Sequence, residues 1–220
     1  MTVVASVQAV SKLPAPAVVL VGLISLALVV MPAFWALLNH FARIAHEGAH
    51  AIVGSVLDTR VTGVRLNMRK RSGKTDLQAA AGSGFIVLLV GYLGPSGFGL
   101  AAAALIAHDQ IVLVLWIGVA LLAILLPSLR TVFGVALVFG IGFVLVSIIR
   151  SRNPGVESVT AYGLSWLLLL SAVRGVWDRR GGSGDADNLR DITKLPPGLW
   201  YRVWLIGTVA AVVWGSTMLV

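Results

Sequence analysis

The sequence has no cysteine. That excludes disulfides and thiolate metal ligands, so any bound metal must be held through nitrogen or oxygen. Charge is scarce as well. Only 12% of the residues are Asp, Glu, Lys or Arg, and just two are glutamate, Glu47 and Glu157. A soluble domain carries roughly twice that charged fraction. What fills the chain instead is apolar: 58% hydrophobic residues and a mean hydropathy of +0.93. Such a composition describes a polytopic helical membrane protein, in which the bilayer solvates most side chains. The net charge of +8 raises the question of a nucleic-acid partner. The basic residues cluster in two loops between apolar runs, which is the pattern of cytoplasmic loops facing anionic lipid. No nucleic-acid partner is therefore expected, and the lipid bilayer is.

Apolar runs cover 16–36, 37–57, 82–107, 111–127, 130–149, 156–175 and 199–220. The expected fold is an all-α membrane protein of six to seven transmembrane helices, with 111–127 short enough to be tilted or partly re-entrant. The whole chain, 1–220, reads as one integral-membrane domain. Residues 1–15 carry only Lys12 and lead into the first run as an anchor. Residues 58–80 form the first polar stretch. Alternation from Val61 to Met68 is strand-like, and Arg71-Ser72-Gly73-Lys74 reads as a turn, so a small β-hairpin is expected at the cytoplasmic membrane edge. The second polar stretch, 176–198, is rich in glycine, arginine and aspartate.

Within the 37–57 run stands His46-Glu47-Gly48-Ala49-His50. Two histidines four apart share one helix face, so both imidazoles can reach one zinc ion. The adjacent glutamate is then placed as general base for a metal-activated water. Ionisable groups inside a span are costly and usually functional. His40 points to another side of the helix and reads as interfacial, while His108 beside Asp109 reads as a solvated turn.

Two histidines do not complete a catalytic zinc site, which takes three protein ligands and an open position. Orientation narrows the search. Placing 58–80 inside puts 127–130, 176–198 and the N-terminus inside by alternation. Fourteen of the seventeen basic residues, Lys12 among them, then face the cytoplasm, and Arg43, Arg150 and Arg152 remain on the other side. Asp109 and Glu157 fall on that far side too. Asp58 reads as a helix-end residue, and Asp178 as a solvated interfacial charge beside Arg179 and Arg180. The Asp185-Ala186-Asp187 cluster remains. Asp185 follows Gly-Gly-Ser-Gly and precedes a helix-like stretch, so it is a candidate N-cap as well as a candidate ligand. Asp187 as ligand with Asp185 as cap is the alternative.

The chain resembles the site-2-protease group of intramembrane zinc metalloproteases, peptidase family M50, in particular its bacterial M50B-like branch. The residues that carry the resemblance are His46-Glu47-Gly48-Ala49-His50-Ala51, Val61-Thr62-Gly63-Val64-Arg65-Leu66, Gly91-Tyr92-Leu93-Gly94-Pro95, Asp185-Ala186-Asp187-Asn188-Leu189 and Thr193-Lys194-Leu195-Pro196. The resemblance implies His46 and His50 as Zn2+ ligands, Glu47 as general base, and a distal aspartate, carried here to Asp185, as third ligand. Better-known members have L-D-G or N-P-D-G at that distal position, where this chain has Gly-Asp-Ala-Asp. No loop is long enough to house an inserted PDZ domain.

The expected activity is zinc-dependent cleavage of peptide bonds in or near the transmembrane segments of membrane-protein substrates, in a bacterial cytoplasmic membrane. Two other readings are a catalytically inactive scaffold of the same fold and a small metal or proton transporter. The hairpin edge is a candidate surface for an unwound substrate strand, with Asn67 as a candidate substrate contact. Gly91, Gly94, Gly97 and Gly99 suit close helix approach, with Pro95 interrupting the helix. Nothing in the pattern assigns an oligomeric state.

Overall fold

A computed structural model of the chain describes residues 12–57, 60–67, 72–78, 81–179 and 184–220, with the backbone alone described at 60–67, 72–78, 81–83 and 128. The first two helices are α1 (Ala15–Val30) and α2 (Pro32–Val56), and they meet at 99°. The cause is local. Met31 precedes a proline and is extended, with φ −72° and ψ 123°, because the proline ring clashes with a helical residue before it. Pro32 then opens α2, where its missing N–H costs nothing. The expected runs 16–36 and 37–57 thus divide at Met31.

Tertiary contacts hold the bend. Trp35 Nε1 donates to Asp178 at 2.5 Å, and Arg174 donates to Asp178 at 2.9 Å and to the Val30 carbonyl at 3.2 Å. The Arg174 guanidinium also lies 5.5 Å from the Trp35 ring centre. Asp178, expected as a solvated charge, is therefore a fastener between distant parts of the chain.

Strands β1 (Arg60–Asn67) and β2 (Ser72–Gln78) follow, paired antiparallel with Asn67 opposite Ser72. Ser72, Gly73 and Lys74, expected in the turn, belong to β2, and residues 68–71 lie outside the described residues. The remaining helices are α3 (Ala81–Ala107), α4 (Ile111–Leu125), α5 (Val132–Ser151), α6 (Pro154–Asp178), α7 (Asp185–Thr193) and α8 (Pro197–Leu219). Helix α3 is central and touches α2, α4, α6, α7 and α8. Caps set several boundaries. Thr131 accepts from the Gly134 N–H at the start of α5, and Asn153 accepts from Gly155 and Val156 at the start of α6.

Four helices, α3, α5, α6 and α8, are long and apolar enough to cross a membrane, and a fifth span arises if bent α1–α2 counts as one. Six to seven spans is more than this supports among the described residues. Helix α4 has only 15 residues, about 22 Å of rise against an apolar core of about 30 Å. Helix α5 has mean hydropathy 2.8 and only 17% of its apolar window buried, so its apolar side chains face outward, as a bilayer requires. The main core gathers residues of α1, α3, α4, α5, α6 and α8, with Ala103, Leu115, Ala161 and Leu169 fully buried.

The bend also corrects the side assigned to Lys12. Lys12 donates to the Ala107 carbonyl at 2.7 Å and pairs with Asp109 at 3.4 Å. It therefore sits at the 108–110 end of the bundle, whereas Val30 sits beside Arg174 at the other end. Helices α1 and α2 form one bent unit, which removes a crossing from the alternation.

Candidate metal centre

The His-Glu-x-x-His motif lies in the second half of α2. His46 and His50 bring their Nε2 atoms to 3.2 Å, with the rings edge to face at 4.7 Å between centres. His50 Nδ1 stands 2.8 Å from the Val87 carbonyl of α3. A carbonyl only accepts, so Nδ1 carries the proton and Nε2 keeps its lone pair for the cluster. The His46 ring packs edge-on against Tyr92, 4.6 Å between centres. Glu47 is 3% exposed and lies within electrostatic reach of His50.

Close approach of α3 is made possible by glycine. A Cβ at Gly91 would overlap the His50 ring and crowd His46 Cε1, and a Cβ at Gly94 would overlap Ala49 Cβ. The helix-packing expectation fits these two positions. Gly97 has nothing within 4 Å of such an atom, so it is not part of that contact.

The third group arrives on α7. Ala186 and Leu189 are fully buried, packed into a cluster with Leu88, Val176, Trp200 and Trp204. Trp204 donates to the Leu89 carbonyl at 2.9 Å, tying α8 to α3. With that apolar face fixed, Asp185 points to the histidines: its Oδ2 is 3.1 Å from His46 Nε2 and 3.4 Å from His50 Nε2. Burial alone would raise the Asp185 carboxyl, but the contacts with His46 and His50 outweigh it and hold it below the usual carboxylate range. Asp187 lies two residues on and pairs with Arg190 at 3.3 Å. Among the described residues the one group of three metal-capable side chains is His46, His50 and Asp185. Helix α7 is capped by Gly184 without a side-chain bond, so Asp185 is the first helical residue rather than the N-cap.

The donor set fits zinc. Ligands about 2.0–2.2 Å from a tetrahedral ion lie about 3.3–3.6 Å from one another. The three edges here are 3.1, 3.2 and 3.4 Å, one inside that range and two within about 0.2 Å of its short end. Two imidazoles and one carboxylate leave a fourth position open, the pattern of catalytic rather than structural zinc.

The other residues singled out from the sequence fall elsewhere. The Asn67 side chain and Asp58 lie outside the described residues. His40, expected at the interface, is only 9% exposed and stacks edge-on with Phe133 at 5.1 Å. His108 is exposed in a turn, and Asp109 beside it pairs with Lys12. Sequence reasoning missed a pocket of about 240 Å³ beside His46, lined by Asn39, Arg43, Tyr92, Ser171, Asp178 and Arg179 among others. Arg43, assigned by alternation to the opposite side, is thus beside Arg179 of the second polar stretch. The available signal was spacing: Arg43 lies three before His46 and shares its face.

The bundle and its donor triangle define a helical membrane protein with a candidate catalytic metal centre. The chain belongs to the Peptidase M50B-like family, whose model matches residues 19–215. That family is one of metalloproteases, and the match runs from within α1 to within α8. Among curated proteins and solved structures, no match to the chain was found.

Proposed function

We propose that the chain is a site-2-protease-type zinc endopeptidase that hydrolyses peptide bonds in or near transmembrane segments of membrane-protein substrates. The observation that carries this is the donor triangle of His46, His50 and Asp185, with the His50 tautomer set by the Val87 carbonyl. Both partners are built into packed helices, so the donor atoms are preorganised. Bound there, Zn2+ supplies Lewis acidity to a water and to the scissile carbonyl. The Glu47 carboxylate takes the proton of the attacking water and returns it to the leaving amine nitrogen. Asp187 stays with Arg190 and has no part in the donor set. The pocket at His46 gives the site a polar mouth lined by α2, α3 and α6. We further propose that 58–80 and 176–198 face the cytoplasm of a bacterial membrane and that β1 and β2 pair with an unwound substrate strand, with Asn67 touching it.

Purified full chain and its Glu47→Gln variant, incubated with a candidate membrane substrate, test the activity. Cleavage should fall by about 10²–10⁴-fold in the variant. Equal cleavage by both would overturn the reading. Metal analysis separates the ligands: zinc should be lost in His46→Ala and in Asp185→Ala, and retained in Asp187→Ala. Zinc bound with no turnover on any substrate would favour an inactive scaffold.

A further inference from the structure

The pocket beside His46 contains a cation with open donors. Arg43 Nε and Nη1 are both buried, and neither has a hydrogen-bond partner among the described residues. A guanidinium with two buried nitrogens and open N–H groups is costly, because the lost hydration is not replaced. Among the described residues the pocket wall holds no free anion to answer it. Its one carboxylate, Asp178, is already engaged at both oxygens, Oδ1 by Arg174 and Oδ2 by Trp35. The other charged or titratable groups in the lining are Arg179, His46 and Tyr92. Arg179 lies within electrostatic reach of Asp185, which is held by the two histidines. The cavity of about 240 Å³ is therefore cationic, and it opens on the same His46 whose Nε2 belongs to the donor triangle.

We propose that Arg43 is a substrate-binding residue that takes a carboxylate of the peptide substrate in this pocket, next to the scissile bond. The proposal rests on the endopeptidase reading of the same site. A carboxylate matches the open groups: it accepts two or more N–H bonds, gains from the positive charge, and fits a cavity this small. Arg43 stands three residues before His46 on α2, and the two line the same cavity. Two sources share the chemistry. One is an acidic side chain near the cleaved bond. The other is the free C-terminus of a peptide already trimmed at one end. Either makes the site selective, because a neutral isostere leaves the buried guanidinium unpaired.

The probe is a set of short fluorescein-labelled apolar peptides with one central Glu or Gln, each made with a free or an amidated C-terminus. Binding is read by anisotropy and cleavage by chromatography, on the zinc-loaded full chain, Arg43→Gln and Arg43→Lys. Wild type should bind the Glu peptide, or the free-carboxylate peptide, about tenfold or more tightly than its neutral analogue. Which of the two pairs shows the preference identifies the source. Arg43→Gln should abolish the preference, raise KM for the preferred peptide and leave kcat near wild type. Arg43→Lys should restore part of it. The thermal midpoint of Arg43→Gln should equal or exceed that of wild type, since the open donors at Nε and Nη1 have no bond to lose.

A preference that survives in Arg43→Gln, or its absence in wild type, would overturn the proposal. So would a response of Arg43 to phosphatidylglycerol micelles without any preference for carboxylate peptides. The two readings fail separately. Cleavage of all peptides with equal Kd removes the carboxylate site and leaves the endopeptidase. Arg43-dependent preference in binding with no cleavage by wild type removes the endopeptidase and leaves the carboxylate site.

Discussion

The two sides of α2 are packed in opposite ways. Against Gly91 and Gly94 of α3 there is no spare room: a single Cβ at Gly91 would overlap the His50 ring and crowd His46, and one at Gly94 would overlap Ala49. On the other side, Phe41, Ile44, Gly48 and Ile52 line an apolar cavity of about 400 Å³, shared with α3, α4, α5 and α6. A Cβ at Gly48 would meet only Leu125 Cδ2, at 3.9 Å. The difference follows from what each side has to do. Donor atoms must stay within a few tenths of an ångström of one geometry. Backbone-to-ring contact with α3 enforces that, and the Val87 carbonyl completes it. The apolar side carries no donor atom, and looseness there does not disturb the triangle.

Substitution on the tight side should disturb this contrast most visibly. Gly91→Ala should lose zinc and at least a hundredfold in cleavage, because the His50 ring must leave its bond to the Val87 carbonyl, and loss of such a supporting bond alone costs about 10–100-fold. Metal content and activity should fall together. Zinc retained at wild-type level would mean that α3 does not set the ring position. Gly94→Ala acts one turn further on, against Ala49 rather than a ligand. It should lower stability by about 1–3 kcal/mol through overpacking, read as a lower thermal midpoint, with zinc still bound.

The bend between α1 and α2 is the next lever. Trp35→Phe keeps the ring beside Arg174 but removes the N–H that donates to Asp178. Loss of a hydrogen bond to a charged acceptor should cost about 1.5–3 kcal/mol, with metal stoichiometry unchanged. If zinc is lost as well, the bend positions the metal helix and does not merely brace it.

What the sequence made legible follows the range of the interactions. His46 and His50 are readable because a four-residue period fixes a shared face with no tertiary information. The distal carboxylate narrows to a short cluster on charge-side grounds. The choice of Asp185 over Asp187 is set by which face of α7 is apolar, and Ala186 with Leu189 carries that pattern. The end at which Lys12 sits was not legible. Counting apolar runs treats each as a crossing, and a proline break inside one looks like any other interruption. Arg43 was missed for a related reason. Its burial depends on α3 and α6 closing over it, and no local pattern reports that.

The smallest expected effect tests the contrast from the open side. Gly48 sits inside the His-Glu-x-x-His motif, between Glu47 and Ala49, so sequence alone suggests it is intolerant. Its surroundings indicate the reverse. Alanine is a better helix former than glycine by about 0.8–1 kcal/mol in a helix interior, and the added methyl meets Leu125 at an ordinary contact distance. Gly48→Ala should therefore raise the thermal midpoint slightly, by up to about 1 kcal/mol of stability, and leave zinc and cleavage at wild-type levels. Thermal unfolding with parallel activity measurements checks this. A large loss of activity with normal zinc would show that the apolar cavity must stay open at Gly48, and that its space serves the substrate and is not slack packing.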